Sequence, residues 1–248
     1  MNQFRTSIGI ATLCLIGVAA PVSLADLVEA PAIDMSMSGG EGTGWWGHEF
    51  STAEYGSTSG SGSIFNYAGS TSWDECDVSW WHELEVDPGL GFGFSVTNNL
   101  SFTETFTLTA DVRVPGWSNG TMMGASISGS LTDTNFDGTA LLLGAPDGLL
   151  TTYLDESSQL TVGQNVTAGV DFIAGSAAFG PYTAGLGSSG PSLEGPQVTD
   201  GYLSIDISFT LSPGDTATFT GAFVVTYVPA PGGLLLTGLL AFGRRRRR

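Results

Sequence analysis

Between residues 102 and 114 the chain keeps a strict period of two. Phe106, Leu108, Ala110, Val112 and Val114 fall on one side, and Thr103, Thr105, Thr107, Thr109, Asp111 and Arg113 on the other. A helix of 3.6 residues per turn cannot gather such a set onto one face, whereas a strand does so automatically. The pattern recurs. Cys76, Val78, Trp80, His82, Leu84 and Val86 alternate with Asp77, Ser79, Trp81, Glu83 and Glu85. Leu90, Phe92, Phe94 and Val96 follow, then Ala125, Ile127, Gly129 and Leu131. Near the far end, Leu203, Ile205, Ile207, Phe209 and Leu211 precede Ala217, Phe219, Gly221, Phe223, Val225 and Tyr227. Each segment reads as a strand with one apolar face. Asp87-Pro88-Gly89 and Ser212-Pro213-Gly214-Asp215 carry turn chemistry, and the second predicts a β-hairpin from the last two strands.

Several such strands separated by turns predict an all-β fold, an antiparallel β-sandwich or jelly-roll-like domain over residues 26–227. Of the two cysteines, Cys14 lies in an N-terminal apolar run, which leaves Cys76 alone in this body. An intramolecular disulfide is therefore excluded there, and a packed core has to supply the stability. Residues 39–75 are rich in Gly and Ser with interspersed aromatics and predict turns with short strands, such as one over residues 63–68. Residues 175–200, rich in Gly, Ser and Pro, read as a long loop within one domain.

The two ends have a different character. Arg5, an apolar stretch over residues 8–20 and Ser23-Leu24-Ala25 before Asp26 form the three parts of a secretory signal peptide, residues 1–25. At the other end, Pro229-Ala230-Pro231 is followed by a charge-free run over residues 232–243 and by Arg244, Arg245, Arg246, Arg247 and Arg248. The arginines form the positive-inside cluster that stays cytoplasmic. Residues 228–248 resemble the PEP-CTERM sorting signal of bacterial exosortase substrates, with Pro-Ala-Pro in place of Pro-Glu-Pro. The resemblance implies a short C-terminal hydrophobic helix that holds the protein at the membrane until an exosortase cuts the tail. Signal peptidase and exosortase are the implied processing partners, and the cell surface or extracellular matrix is the implied destination. The run would make a helix of roughly 18 Å, short of the ~30 Å hydrocarbon core, which suits a transient span.

Removing both ends transforms the electrostatics. Six of the seven basic residues lie in them, so the body keeps one arginine, Arg113, against 24 acidic residues, a net charge of −23 with no lysine. Such a surface repels nucleic acid and anionic lipid, so no nucleic-acid partner is expected, and membrane contact is expected only through the tail. Without lysine there is neither a Walker A loop nor Schiff-base chemistry.

Three constellations remain. Trp45-Trp46-Gly47-His48-Glu49 and Trp80-Trp81-His82-Glu83 place indoles beside carboxylates, so Trp45, Trp46, Trp81 and Glu83 are candidates for contact with an extracellular polysaccharide. In strand geometry Trp81 and Glu83 face away from Trp80 and His82, and core packing competes with that reading. Asp133-Thr134-Asn135-Phe136-Asp137-Gly138 matches the front half of a calcium loop, with Asp133, Asn135 and Asp137 as ligands of a structural calcium, although position 12 falls on Gly144. Asp74, Glu75, Asp77, Glu83 and Glu85 contain the raw material of a glycosidase acid pair without fixing its spacing. The expected function is non-enzymatic: a secreted surface or matrix protein with a structural or adhesive role. A lectin-like carbohydrate-binding module is the alternative, and a secreted glycoside hydrolase the remotest.

Overall fold

In the computed structural model the described residues are 30–227 except 41–44, 62–63, 86–88, 115, 117–119, 172–174, 189 and 200. The signal-peptide and sorting-tail readings, including Pro229, Ala230, Pro231 and the five terminal arginines, lie outside them.

Strands β1 (Ile33–Gly39), β2 (Trp46–Ser51), β7 (Glu104–Arg113), β10 (Leu150–Leu154), β11 (Ser157–Val162) and β17 (Tyr202–Leu211) run through one antiparallel sheet in the order β11-β10-β17-β7-β1-β2. The outer edge of β17 is shared, because β9 (Thr139–Gly144) pairs with its last residues and carries β12 (Thr167–Asp171) beyond. A second antiparallel sheet orders β13 (Ser176–Ala184), β8 (Thr121–Thr132), β18 (Thr216–Tyr227), β6 (Gly89–Asn98), β5 (Cys76–Glu85), β4 (Ile64–Ser72) and β3 (Gly56–Ser61). The short β16 (Leu193–Gly195) also pairs with β8, and β14 (Leu186–Gly187) pairs with β15 (Gly190–Pro191). A single helical turn, α1 (Thr52–Tyr55), follows β2, and the buried Thr52 hydroxyl accepts a hydrogen bond from the Ile33 amide at 3.0 Å.

The period of two explains why these segments became strands, and burial follows it closely. In β5 buried and exposed residues alternate over its whole length, and in β17 Leu203, Ile205, Ile207, Phe209 and Leu211 are all buried. The two apolar faces meet between the sheets. Phe209 packs on Phe219 at 4.7 Å between ring centroids and on Phe106 at 5.6 Å, and Phe92, Phe94 and Phe223 are also fully buried. Each such ring contributes roughly 1.5–3 kcal/mol through burial. On the outer faces the threonine rows form cross-strand hydroxyl ladders: Thr105 with Thr210 and Thr97 with Thr216, both at 2.8 Å.

Two expectations need correcting. The turn at residues 212–215 closes no hairpin: β17 pairs with β7, β9 and β10 in one sheet, and β18 pairs with β6 and β8 in the other. The chain arches across the core, so the two apolar faces oppose each other instead of lying side by side. Residues 175–200 are not a loop but carry β13 to β16 at the margin of the second sheet. The β13–β8 register shifts between Phe179 and Tyr182, where Gly180-Pro181 interrupts the alternation. The Gly/Ser-rich stretch does contain strands where residues 63–68 predicted one: the nine-residue β4 and its edge partner β3, whose described residues face solvent.

Cys76 is fully buried at the start of β5. Burial, reinforced by the flanking Glu75 and Asp77 charges, pushes its thiol pKa up to about 12. Thiol reagents at mildly alkaline pH should therefore modify the folded protein about 100-fold or more slowly than the denatured one. Equal rates in the two states would contradict this burial.

Candidate functional site

Among the described strand residues, Trp81 is the exposed large aromatic side chain. Alternation in β5 turns it away from the core, and its cross-strand partners are Ala68 on β4 and Gly93 on β6. Glu83 follows on the same face between Asn66 and Gly91. A Cβ added at Gly93 would overlap the pyrrole side of the indole, and one at Gly91 would lie 3.9 Å from Cζ3. The ring therefore lies flat along the two glycines, with one face on the backbone and 46% of the residue still exposed. Glycine matters here for its missing side chain rather than for its conformation. Further across the sheet, Thr220 pairs with Gly93 and Ser128 with Thr220, their hydroxyls 3.3 Å apart. An indole with a free face, a carboxylate beside it and a field of hydroxyls can stack a flat apolar ring face and exchange hydrogen bonds with its substituents.

Trp45 and Trp46 do not join this surface, because they belong to the edge of the other sheet. Trp45 stands 81% exposed just before β2. Trp46 turns inward, 5.9 Å from Phe106 and 5.5 Å from His48 between ring centroids. His48 stacks on Trp73 at 4.4 Å with an interplanar angle of 3°, and its Nε2 lies 3.1 Å from Glu75 Oε2. Phe50 continues the stack onto Trp73 and Trp80. This array seals one open side of the sandwich, tying β2 to the segment ahead of β5. The half-buried His48–Glu75 pair adds at most about 1 kcal/mol. His82 is a core residue, its Nε2 3.4 Å from Met35 Sδ and its ring 5.0 Å from Phe94. Burial lowers its pKa to about 3, so it stays neutral.

A depression of about 610 Å³ on the outer face of the first sheet gathers Asp34, Glu49, Glu54 and Asp111. Burial raises the pKa of Asp111, and the nearby Asp206 and Asp34 charges add to the effect. Sequence reasoning missed this patch because its acids come from β1, β2, α1 and β7, which only the sheet order brings together. Arg113, the body's one base, lies 5.1 Å from the centroid of the Tyr202 ring instead.

In the predicted calcium loop, local hydrogen bonds hold the backbone. Gly138 N–H donates to Asp133 Oδ2 at 2.8 Å, Asp137 N–H to Asn135 Oδ1 at 2.9 Å, and Thr139 N–H to Asp137 Oδ1 at 2.9 Å. Phe136 and Gly138 adopt positive φ angles of 59° and 90°, which makes the tight bend. Among the described residues no three His, Cys, Asp or Glu side chains form a metal cluster, and no helix is long and apolar enough to cross a membrane.

No protein-family model matches the chain, and no curated protein matches its sequence. Among solved structures, TmCBM61 in complex with beta-1,4-galactotriose aligns over 66% of this chain and 88% of its own, with 12% identity and a TM-score of 0.28. A likeness at that level decides neither fold nor function.

Proposed function

We propose that this protein is a non-enzymatic component of the bacterial cell surface or extracellular matrix, exported through its N-terminal signal and processed by an exosortase at its tail. Its adhesive role is exerted by weak binding of extracellular polysaccharide at Trp81. Support for the delivery route comes from the two ends of the sequence. The observation that carries the binding role is the Trp81 indole lying over Gly91 and Gly93 with its outer face open and Glu83 adjacent. The strong negative charge favours neutral sugars over acidic polymers.

Titration with soluble neutral polysaccharides should change the intrinsic tryptophan fluorescence. Trp81→Ala should weaken binding about 10-fold, the equivalent of ~1.4 kcal/mol of lost stacking. Trp45→Ala, on the other sheet, should leave the affinity within about twofold of the original. A flat titration, or equal affinities in the parent and Trp81→Ala proteins, would remove the glycan-binding role.

A further inference from the structure

Three connections between the sheets converge at one end of the sandwich: residues 99–103, 133–138 and 212–215. Two carboxylates are buried in the last two of them. Asp133 is 8% exposed, with Oδ2 accepting the Gly138 amide and Oδ1 buried without a hydrogen-bond partner. Asp215 is fully buried. Ser212 Oγ donates to its Oδ2, and its Oδ1 is buried without a hydrogen-bond partner. The Thr134 hydroxyl donates to Thr216 Oγ1 at 2.7 Å, and Thr132 pairs with Thr216 in the β8–β18 ladder, so Asp133 and Asp215 adjoin directly opposed residues. Asp137 adds a third negative charge from the solvent side, and its charge and that of Asp133 both act on Asp215. Arg113, the single basic side chain among the described residues apart from the histidines, is engaged with Tyr202.

A dehydrated carboxylate oxygen without a donor is costly, and two on adjoining turns with like charges around them are costlier still. A buried water, a proton or a cation can answer that arrangement, and the concentration of negative charge favours the last two. We propose that this end of the sandwich is a site for one divalent cation of the calcium type, with Asp133 and Asp215 as its carboxylate ligands. The donors are all oxygen, which fits a hard cation and disfavours zinc or copper. With no third carboxylate clustered on the pair among the described residues, the rest of the shell falls to carbonyl and amide oxygens of these turns and to water, a mixture that calcium accepts more readily than magnesium. The site differs from the loop predicted from sequence, because Asp215 lies 80 residues beyond Asn135 and enters only through the arch between β17 and β18. It does not depend on the glycan reading.

The test uses the full chain, stripped of metal with a chelator and titrated with calcium chloride near neutral pH while thermal unfolding is followed. At roughly 100 times the dissociation constant, the melting temperature should rise by about 5–10 °C. Asp133→Asn and Asp215→Asn should each abolish the rise, and Glu49→Gln, in the acidic depression on the first sheet, should retain it. Should an asparagine variant fail to fold, equilibrium dialysis of the parent protein decides, with one calcium ion retained per chain as the expected result. The proposal is overturned if no ion is retained, if the rise persists in both asparagine variants, or if the metal-free protein shows no calcium response and is stabilised only by lowering the pH. That last outcome would assign a proton to the pair.

Discussion

Replacing Asn98 by alanine should lower the melting temperature by about 10 °C, the largest loss expected from a single polar side chain in this protein. Asn98 is fully buried at the end of β6. Its Nδ2 donates to the carbonyls of Phe102, Leu211 and Ser212 at 3.0, 2.9 and 3.2 Å, and its Oδ1 accepts the Leu100 amide at 2.9 Å. Its backbone N–H donates to Asp215 O, and Gly214 N–H donates to its carbonyl, so two of the inter-sheet connections are fastened to one residue. Alanine would leave buried carbonyls and an amide unsatisfied inside a cavity. At roughly 1–3 kcal/mol for an unsatisfied buried group, the total is about 3–5 kcal/mol. The neighbouring Asn99 bonds at the surface to Trp73 O and Asp77, so Asn99→Ala should cost only about 0.5 kcal/mol. Comparable losses in the two variants, measured by denaturant unfolding, would refute this role for Asn98.

His82 predicts an acid sensitivity of similar size. Its folded pKa of about 3 lies below the ordinary histidine value of 6.5, so protonation favours the unfolded chain. The stability it permits is complete above pH ~6.5 and is lost as the pH falls towards 3, by about 4 kcal/mol over the window. Asp111 and Asp215 act in the opposite sense: their raised pKa values make the folded state the better proton acceptor, so their contribution declines as pH rises. A comparison with His82→Leu cancels those carboxylates, since both proteins share them. The leucine variant should match the parent near neutral pH, because it also removes a buried Nδ1 that has no hydrogen-bond partner. Around pH 4 it should be more stable by about 3 kcal/mol. Parallel stability curves across that range would show that the His82 imidazole is not held neutral.

Much of the fold was legible because a strand with one buried face writes its geometry directly into sequence. The in-and-out order of β5, β7 and β17 follows the expected alternation residue by residue. Alternation fails where both faces of a strand are wet or the register slips. That is why the bounds of β3 were not legible within a stretch read as turns with short strands, and why β13, with Phe179 and Tyr182 on either side of a register shift, looked like loop. The candidate sites divide in the same way. That Trp81 and Glu83 face outward was readable from the period of two, but the flat seat of the indole depends on Gly93 of the next strand.

Sequence alone determined that the body would be antiparallel β-structure stabilised by a core without a disulfide, that it would be strongly acidic, and which face of each regular strand would be buried. Those properties are local, set by composition and by spacing along one segment. Tertiary structure decided which strands share a sheet. An arch and a hairpin have the same alternation and the same Ser-Pro-Gly-Asp turn, and only pairing across the core distinguishes them. It likewise decided that Asp215 lies beside Asp133 and that the acids of β1, β2 and β7 share one depression. Contacts between residues tens of positions apart leave no period in a single sequence, so the sites built from them appear only once the sheets are assembled.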